Sequence, residues 1–261
     1  MIENFTLGSL FDGAGTCPFA GQQFGLKTLW SSEIEPFPLR VTAARFPNVK
    51  QLGDITKIDG TKIEPVDVIT FGSPCQDLSV AGKRNGLSGE RSGLFLEAVR
   101  VIKEMLYATD GEYPKFVLWE NVPGAFSSNK GEDFRQVLEE LAKIKDETVS
   151  IPKSNQMGGR QRWERAGSVL GKGFSIAWRT LDAQYWGVPQ RRRRIHLIVD
   201  FRGGRAEEVL FERNGLSRRF AESRKKWNGI TPDTTYSVDG TGEYIGGRTN
   251  RNGIDTAPPR Q

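Results

Sequence analysis

The chain has 261 residues, of which 37% are hydrophobic and 26% charged, with a formal net charge of +5. That length suits one large domain or one domain with a small appendage. No stretch approaches the ~20 apolar residues of a membrane span, so none is expected. Two cysteines, Cys17 and Cys75, make no disulfide framework, and one histidine, His196, rules out a Cys/His metal cluster and argues against Ser-His or Cys-His catalysis. Met1-Ile2-Glu3-Asn4 lacks the basic-then-apolar pattern of a signal peptide, and a cytoplasmic setting is the simplest expectation. Charge is uneven. Residues 151–261 hold 21 Lys and Arg against 11 Asp and Glu, whereas residues 1–150 hold 16 against 21. A basic half suits a polyanion such as nucleic acid; a solvated surface is the plain alternative.

In chain order, Phe5 to Phe11 alternates as a first strand, and Asp12-Gly13-Ala14-Gly15 is a glycine turn before a helix from Cys17 to Phe24. Leu26 to Ser31 reads as a second strand ending at Ser32-Glu33-Ile34-Glu35, and Pro36 to Phe46 as a helix with proline in its first turn. Lys50 to Leu52 is a short strand before Gly53-Asp54-Ile55, and Val66 to Phe71 is a buried strand that runs into Gly72-Ser73-Pro74-Cys75-Gln76. Apolar residues at Leu94, Phe95, Ala98, Val99, Ile102 and Leu106 give Ser92 to Tyr107 a helical period. Phe116 to Trp119 is a strand ending at Glu120-Asn121-Val122, Lys130 to Lys145 a helix, and Phe174 to Asp182 and Arg192 to Phe201 are strands. Residues 146–173 are rich in Pro, Gly and polar residues and read as a loop or insertion. The alternation predicts an α/β protein with a doubly wound, mostly parallel sheet.

In such sheets ligands sit beyond the carboxyl ends of the strands. The turn Phe11-Asp12-Gly13-Ala14-Gly15 lets backbone approach a ligand at a helix start, though its spacing departs from G-x-G-x-x-G and a structural turn would also explain it. Glu33, about twenty residues on, is placed for ribose hydroxyls. Asp54, ending strand three, is placed for an adenine amino group. Capping of the following helices is the alternative for both acids. Together they suggest an adenosine cofactor. Cys75 lies just past a strand end, where a nucleophile belongs, although a free cysteine is more often simply buried.

The ordered series Phe11-x-Gly13-x-Gly15, Glu33, Gly53-Asp54-Ile55, Gly72-Ser73-Pro74-Cys75-Gln76, Glu120-Asn121-Val122 and Gln190-Arg191-Arg192-Arg193-Arg194-Ile195 resembles the DNA (cytosine-5)-methyltransferases over roughly residues 5–201. The tract from Trp178 to Arg194 is most similar to prophage-type bacterial members. The resemblance implies a Rossmann-like fold that uses S-adenosyl-L-methionine. It implies cofactor contacts from Phe11, Gly13, Gly15, Glu33, Ile34, Asp54, Ile55, Gly72, Pro74 and Leu94. It also implies catalysis by Cys75, Glu120, Arg192 and Arg194, with no metal. Double-stranded DNA is the implied substrate, held by Gln76, Ser79, Lys83, Arg84 and Arg91 in a loop that closes behind a flipped base. Strand alternation puts Arg192, Arg194 and His196 on one face and Arg191 and Arg193 on the other.

The match stops early. Residues 1–201 read as the catalytic domain, and 202–261 as a truncated or partial C-terminal recognition region with a poorly ordered, extended end. The last two motifs of the family are not found; Gly229-Ile230-Thr231-Pro232 is a faint echo of one. A second polypeptide supplying the recognition region, a truncated gene and a fragment all fit this pattern. The competing functional readings are a non-catalytic cofactor- or nucleic-acid-binding remnant and a tRNA cytosine methyltransferase.

Overall fold

A computed structural model of the chain describes residues 5–73, 93–153, 156–157, 160–161, 163–187, 189–211, 236–238 and 244–246. Its strands are β1 (Thr6–Leu10), β2 (Lys27–Ser32), β3 (Lys50–Gln51), β4 (Val68–Phe71), β5 (Phe116–Asn121), β6 (Gln156–Met157), β7 (Arg160–Gln161), β8 (Ala166–Gly171), β9 (Phe174–Asp182), β10 (Arg193–Asp200), β11 (Tyr236–Val238) and β12 (Tyr244–Gly246). Its helices are α1 (Thr16–Gln23), α2 (Pro36–Arg45), α3 (Gly93–Ala108), α4 (Glu132–Ala142) and α5 (Ala206–Phe211). Eight strands form one sheet in the order β3-β2-β1-β4-β5-β10-β9-β8; β6 pairs with β7, and β11 with β12. Strands β1 to β5 are parallel, β10 is antiparallel to β5, β9 to β10 and β8 to β9. The doubly wound α/β expectation is met. Strand order reverses between β1 and β4, which opens a crevice at their carboxyl ends.

The helices pack on both faces. Phe95 of α3 and Phe134 of α4 both meet the buried Trp119 ring of β5, at centroid distances of 6.4 and 6.2 Å, so these helices share a face. Phe134 also meets Trp178 of β9 and Trp163, which continues the aromatic core along the sheet. α1 lies on the opposite face, close enough that a Cβ on Gly21 would come within 2.9 Å of Leu7 Cδ2. No helix among the described residues is long and apolar enough to cross a membrane.

The region expected as a loop, 146–173, departs most from expectation. It holds the β6–β7 pair, and it adds β8 to the main sheet. The glycines of β8 read as loop signals, yet they serve packing. A Cβ on Gly167 would lie 2.4 Å from the Trp178 ring, and one on Gly171 would lie 2.1 Å from the Phe174 ring. Each glycine is a slot for an aromatic ring of β9. The packed chain also runs beyond Phe201. Ala206 in α5 is fully buried, its N–H donates to Ser175 Oγ at 3.1 Å, and Ser168 of β8 hydrogen-bonds Glu207.

Gly8 in β1 is a slot of the same kind, since its Cβ would lie 2.2 Å from the buried ring of Trp30. Gly8→Ala is therefore expected to lower unfolding free energy by about 1–3 kcal/mol in a denaturant titration, the usual range for overpacking. Gly93→Ala, which meets nothing within 4 Å at the start of α3, should stay within about 1 kcal/mol of the parent.

Candidate active site

The first turn is built for close approach. Phe11 has a φ of 54°, unusual for a bulky side chain, and Gly13 and Gly15 follow at 56° and 82°. A Cβ on Gly15 would press on the Phe46 ring at 2.8 Å, whereas one on Gly13 would meet nothing within 4 Å. Gly15 begins α1 with no side chain capping it. The turn thus offers open space above Gly13 and a helix start that no side chain caps among the described residues, and both suit a ligand with an anionic end.

Glu33 holds this turn. Its Oε2 accepts from Gly13 N at 2.8 Å, and its Oε1 accepts from Ile34 N and Glu35 N at 2.7 and 2.9 Å. Three of the carboxylate's roughly four acceptor sites are occupied, so a ribose diol must share or displace one of these bonds. Ile34 beside it is 63% exposed and offers an apolar surface to a base. Asp54 accepts from Thr56 N and Thr56 Oγ1 at 3.0 and 2.8 Å, and those bonds hold its carboxyl below the usual range. The Ile55 side chain is 3% exposed and packed in the core, which leaves its backbone as the part that can face a cofactor. It supports the Asp54 turn from beneath. Arg100 of α3 clamps that turn by donating to Ile55 O at 3.0 Å and Ile58 O at 2.8 Å. Phe11 and Leu94 are half-buried against the same core. An adenosine cofactor fits these residues.

The second half of the site lies where β4, β5 and β10 meet. Phe71 pairs with Trp119, so Ser73 comes level with Asn121. Asn121 Nδ2 donates to Ser73 O at 3.2 Å, and Trp119 Nε1 donates to Ser73 Oγ at 3.4 Å. A Cβ on Gly72 would lie 3.6 Å from Glu120 O. The chain leading to Cys75 is thereby anchored beside Glu120. Pro74, Cys75, Gln76, Ser79, Lys83, Arg84 and Arg91 themselves lie outside the described residues.

Glu120 Oε1 receives Arg194 Nε at 3.3 Å and Arg192 Nη2 at 3.6 Å. Arg193 turns the other way and pairs with Asp182 Oδ2 at 3.2 Å, as strand alternation requires. His196 sits directly across from Glu120 in the β5–β10 register. Burial holds its imidazole below the usual range although Glu120 pulls it up, so it is uncharged at neutral pH. It therefore adds no third cation beneath the carboxylate.

Asp12 is a feature that the turn's spacing did not single out. It is 7% exposed, its Oδ1 accepts from Ser9 Oγ at 2.7 Å, and its Oδ2 is buried with no partner among the described residues. Burial, with Glu33 adding repulsion against the Ser9 and Ser31 hydrogen bonds, pushes its carboxyl up to about 6. Burial likewise pushes the Cys17 thiol up, against a hydrogen bond with Thr70, which makes Cys17 a poor nucleophile. Asn121, Arg100 and Asp12 were not marked by sequence reasoning. Asn121 lay inside the Glu-Asn-Val triplet, but its bond to Ser73 depends on sheet register. Among the described residues no His/Cys/Asp/Glu group could hold a metal.

A carboxyl raised by folding favours the native state while protonated, and that contribution is lost as pH rises through about 6. Asp12→Asn should therefore be more stable than the parent at pH 8, by on the order of 1–3 kcal/mol, with the gain fading toward pH 4. Urea unfolding at the two pH values checks this. A difference that does not change with pH would contradict it.

Known proteins resemble this chain in sequence and fold. The family of C-5 cytosine-specific DNA methylases matches residues 5–170. The DNA N-6-adenine-methyltransferase of Escherichia phage P1 is 36% identical over 245 residues, 86% of this chain and 32% of that protein. Type II methyltransferase M.BsuFI of Bacillus subtilis is 31% identical over 192 residues, 74% of this chain and 38% of that protein. This chain thus spans about a third of the length of the curated relatives it matches. The fold is shared with the S. pombe Dnmt2 methyltransferase, at a TM-score of 0.54 and 16% identity over 82% of this chain and 57% of that one. With the family's match covering well over half of its length, the chain belongs to the C-5 cytosine-specific DNA methylases.

Proposed function

We propose that the protein transfers a methyl group from S-adenosyl-L-methionine to carbon 5 of cytosine in double-stranded DNA, with Cys75 as nucleophile. The observation that carries this reading is the junction of three strand ends. Ser73, two residues before Cys75, is anchored by Asn121, while Glu120 stands beside it under Arg192 and Arg194.

Carbon 5 of cytosine is a weak nucleophile, so the ring must be activated. Addition of the Cys75 thiolate to carbon 6 moves an electron pair toward N3 and O2. Glu120 is the candidate donor of the proton at N3. Arg194 suits the oxygen and, as a cation near the cleft, favours the thiolate. Arg192 holds the Glu120 carboxyl in place. Carbon 5 then has enamine character; loss of its proton and departure of the thiolate restore the ring after transfer. S-adenosyl-L-methionine, when bound, supplies an electrophilic methyl group on a sulfonium. The open space at Gly13, the exposed Ile34 and the Glu33 and Asp54 carboxylates are the groups that would hold it. Such a site cannot reach a stacked base, so the cytosine must flip out, and the segment from Gln76 to Arg91 is the candidate to close behind it.

The name of the phage P1 relative points to a different atom, the adenine amino group. That nitrogen needs no covalent activation by a thiol, and the chain covers only 32% of that protein. The Gly-Ser-Pro-Cys strand end and the arginine-flanked Glu120 favour carbon-5 chemistry. Target recognition would fall to chain outside the catalytic core, whether residues 202–261 or a second polypeptide.

DNA containing 5-fluorocytosine blocks the final proton loss and traps the adduct. With cofactor present, the parent protein should form a denaturation-resistant complex and Cys75→Ala none. Glu120→Gln should form it about a hundredfold more slowly or worse. An adduct formed by Cys75→Ala overturns the assignment.

A further inference from the structure

Each of the five parallel strands delivers a polar residue to the carboxyl edge, in sheet order. From the sheet edge inward these are Asp54 after β3, Glu33 after β2, Asp12 after β1, Ser73 after β4 and Glu120 at the end of β5. Glu33 is the candidate for the ribose, and the segment after Ser73 carries the candidate nucleophile. A sulfonium is bonded both to the ribose 5′ carbon and to the methyl group that must reach that nucleophile. Its charge therefore belongs between the ends of β2 and β4, which is the end of β1, where Asp12 stands.

Asp12 is held there as a charge without a counter-ion. It is 7% exposed, its N–H donates to Ser32 O at 3.1 Å, and its Oδ1 accepts from Ser9 Oγ at 2.7 Å. Its Oδ2 is buried with no partner among the described residues. The hydroxyls around it have other commitments. Ser31 Oγ donates to Gln51 Oε1 at 3.1 Å, Thr70 Oγ1 to Ser9 Oγ at 3.3 Å, and Thr42 Oγ1 of α2 to Gly13 O at 3.2 Å. The titratable groups facing it are Glu33 at the end of β2, which repels its charge, and the Cys17 thiol of α1, whose ionisation Asp12 in turn opposes. No cation among the described residues offsets it. A carboxylate so placed gains more from an incoming cation than an exposed one does, because little water screens it.

We propose that Asp12 sets the preference of the site for the cationic methyl donor over its neutral thioether product, S-adenosyl-L-homocysteine. This rests on the cofactor reading above and adds to it the residue that tells donor from product. The two ligands share adenosine, ammonium and carboxylate groups, and they differ by one methyl group and one positive charge. Only the ionised form of Asp12 can read that difference. Its carboxyl titrates at about 6, so the preference is present at neutral pH and fades as the carboxyl takes up its proton. A weaker hold on the product favours its exchange for fresh donor after each transfer.

Isothermal calorimetry on the full chain, with S-adenosyl-L-methionine and S-adenosyl-L-homocysteine at pH 5, 6 and 7, tests this without turnover. For a coupling of about tenfold, the ratio of donor to product affinity should be about fivefold higher at pH 7 than at pH 5 in the parent. Donor binding at pH 6 should also release about 0.4 proton, seen as a heat that varies with the ionisation enthalpy of the buffer, and product binding should release none. In Asp12→Asn the ratio should be the same at all three pH values and close to the parent's ratio at pH 5, with no proton released; Asp12→Ser serves if Asp12→Asn does not fold. A parent ratio that does not change with pH, or a pH dependence that survives the substitution, overturns the role of Asp12, while donor binding leaves the cofactor reading intact. If the parent binds neither ligand, both fall.

Discussion

Antiparallel pairing of β10 against β5 is the constraint on which the site depends. It places His196 opposite Glu120 and Ile195 opposite Asn121, which brings Arg194 and Arg192 over the Glu120 carboxylate. Three successive residues of β5 then point to three tasks. Trp119 enters the aromatic core between α3 and α4, Glu120 faces the arginines, and Asn121 holds the Ser73 carbonyl. The ion pairs themselves contribute little to stability, because Glu120 is 39% and Arg192 50% exposed. Their value is positional: they fix a carboxylate where the chain toward Cys75 leaves the sheet.

The cofactor half is organised by strain and burial. Phe11 adopts a backbone conformation that disfavours its side chain, and Asp12 is held with a buried oxygen that has no partner among the described residues. Both oppose folding, and both lie in the turn that a ligand must approach. The surroundings over-determine the turn: Glu33 binds Gly13 N, Asp12 N donates to Ser32 O at 3.1 Å, and Phe46 fills the space beside Gly15. Such concentration of strain is common where a protein is shaped for binding more than for stability.

Much of this was legible in the sequence where the cause is local. The glycine turn follows from the need for positive φ. The split of the arginines between two faces follows from the two-residue period of a strand, and the position of the motif residues at strand ends follows from the α/β rhythm. What stayed hidden depends on distant partners. The Asn121–Ser73 bond joins residues 48 apart through the β4–β5 register, and Arg100 reaches a carbonyl 45 residues away. Ile55 shares a motif with Asp54, yet its side chain faces the core. β8 looks like loop in the sequence because Gly167 and Gly171 carry no apolar signal. Their missing side chains become informative only once Trp178 and Phe174 are seen occupying that space.

The proposed function has this arrangement of strand ends activate cytosine at carbon 5. Incubation of the protein, with any partner subunit supplied, with DNA and methyl-labelled S-adenosyl-L-methionine, followed by digestion to nucleosides and mass spectrometry, reads the modified atom directly. Label is expected in 5-methyldeoxycytidine and is lost in Cys75→Ala. Label in N6-methyldeoxyadenosine, or label in 5-methyldeoxycytidine that survives the Cys75 substitution, would contradict it.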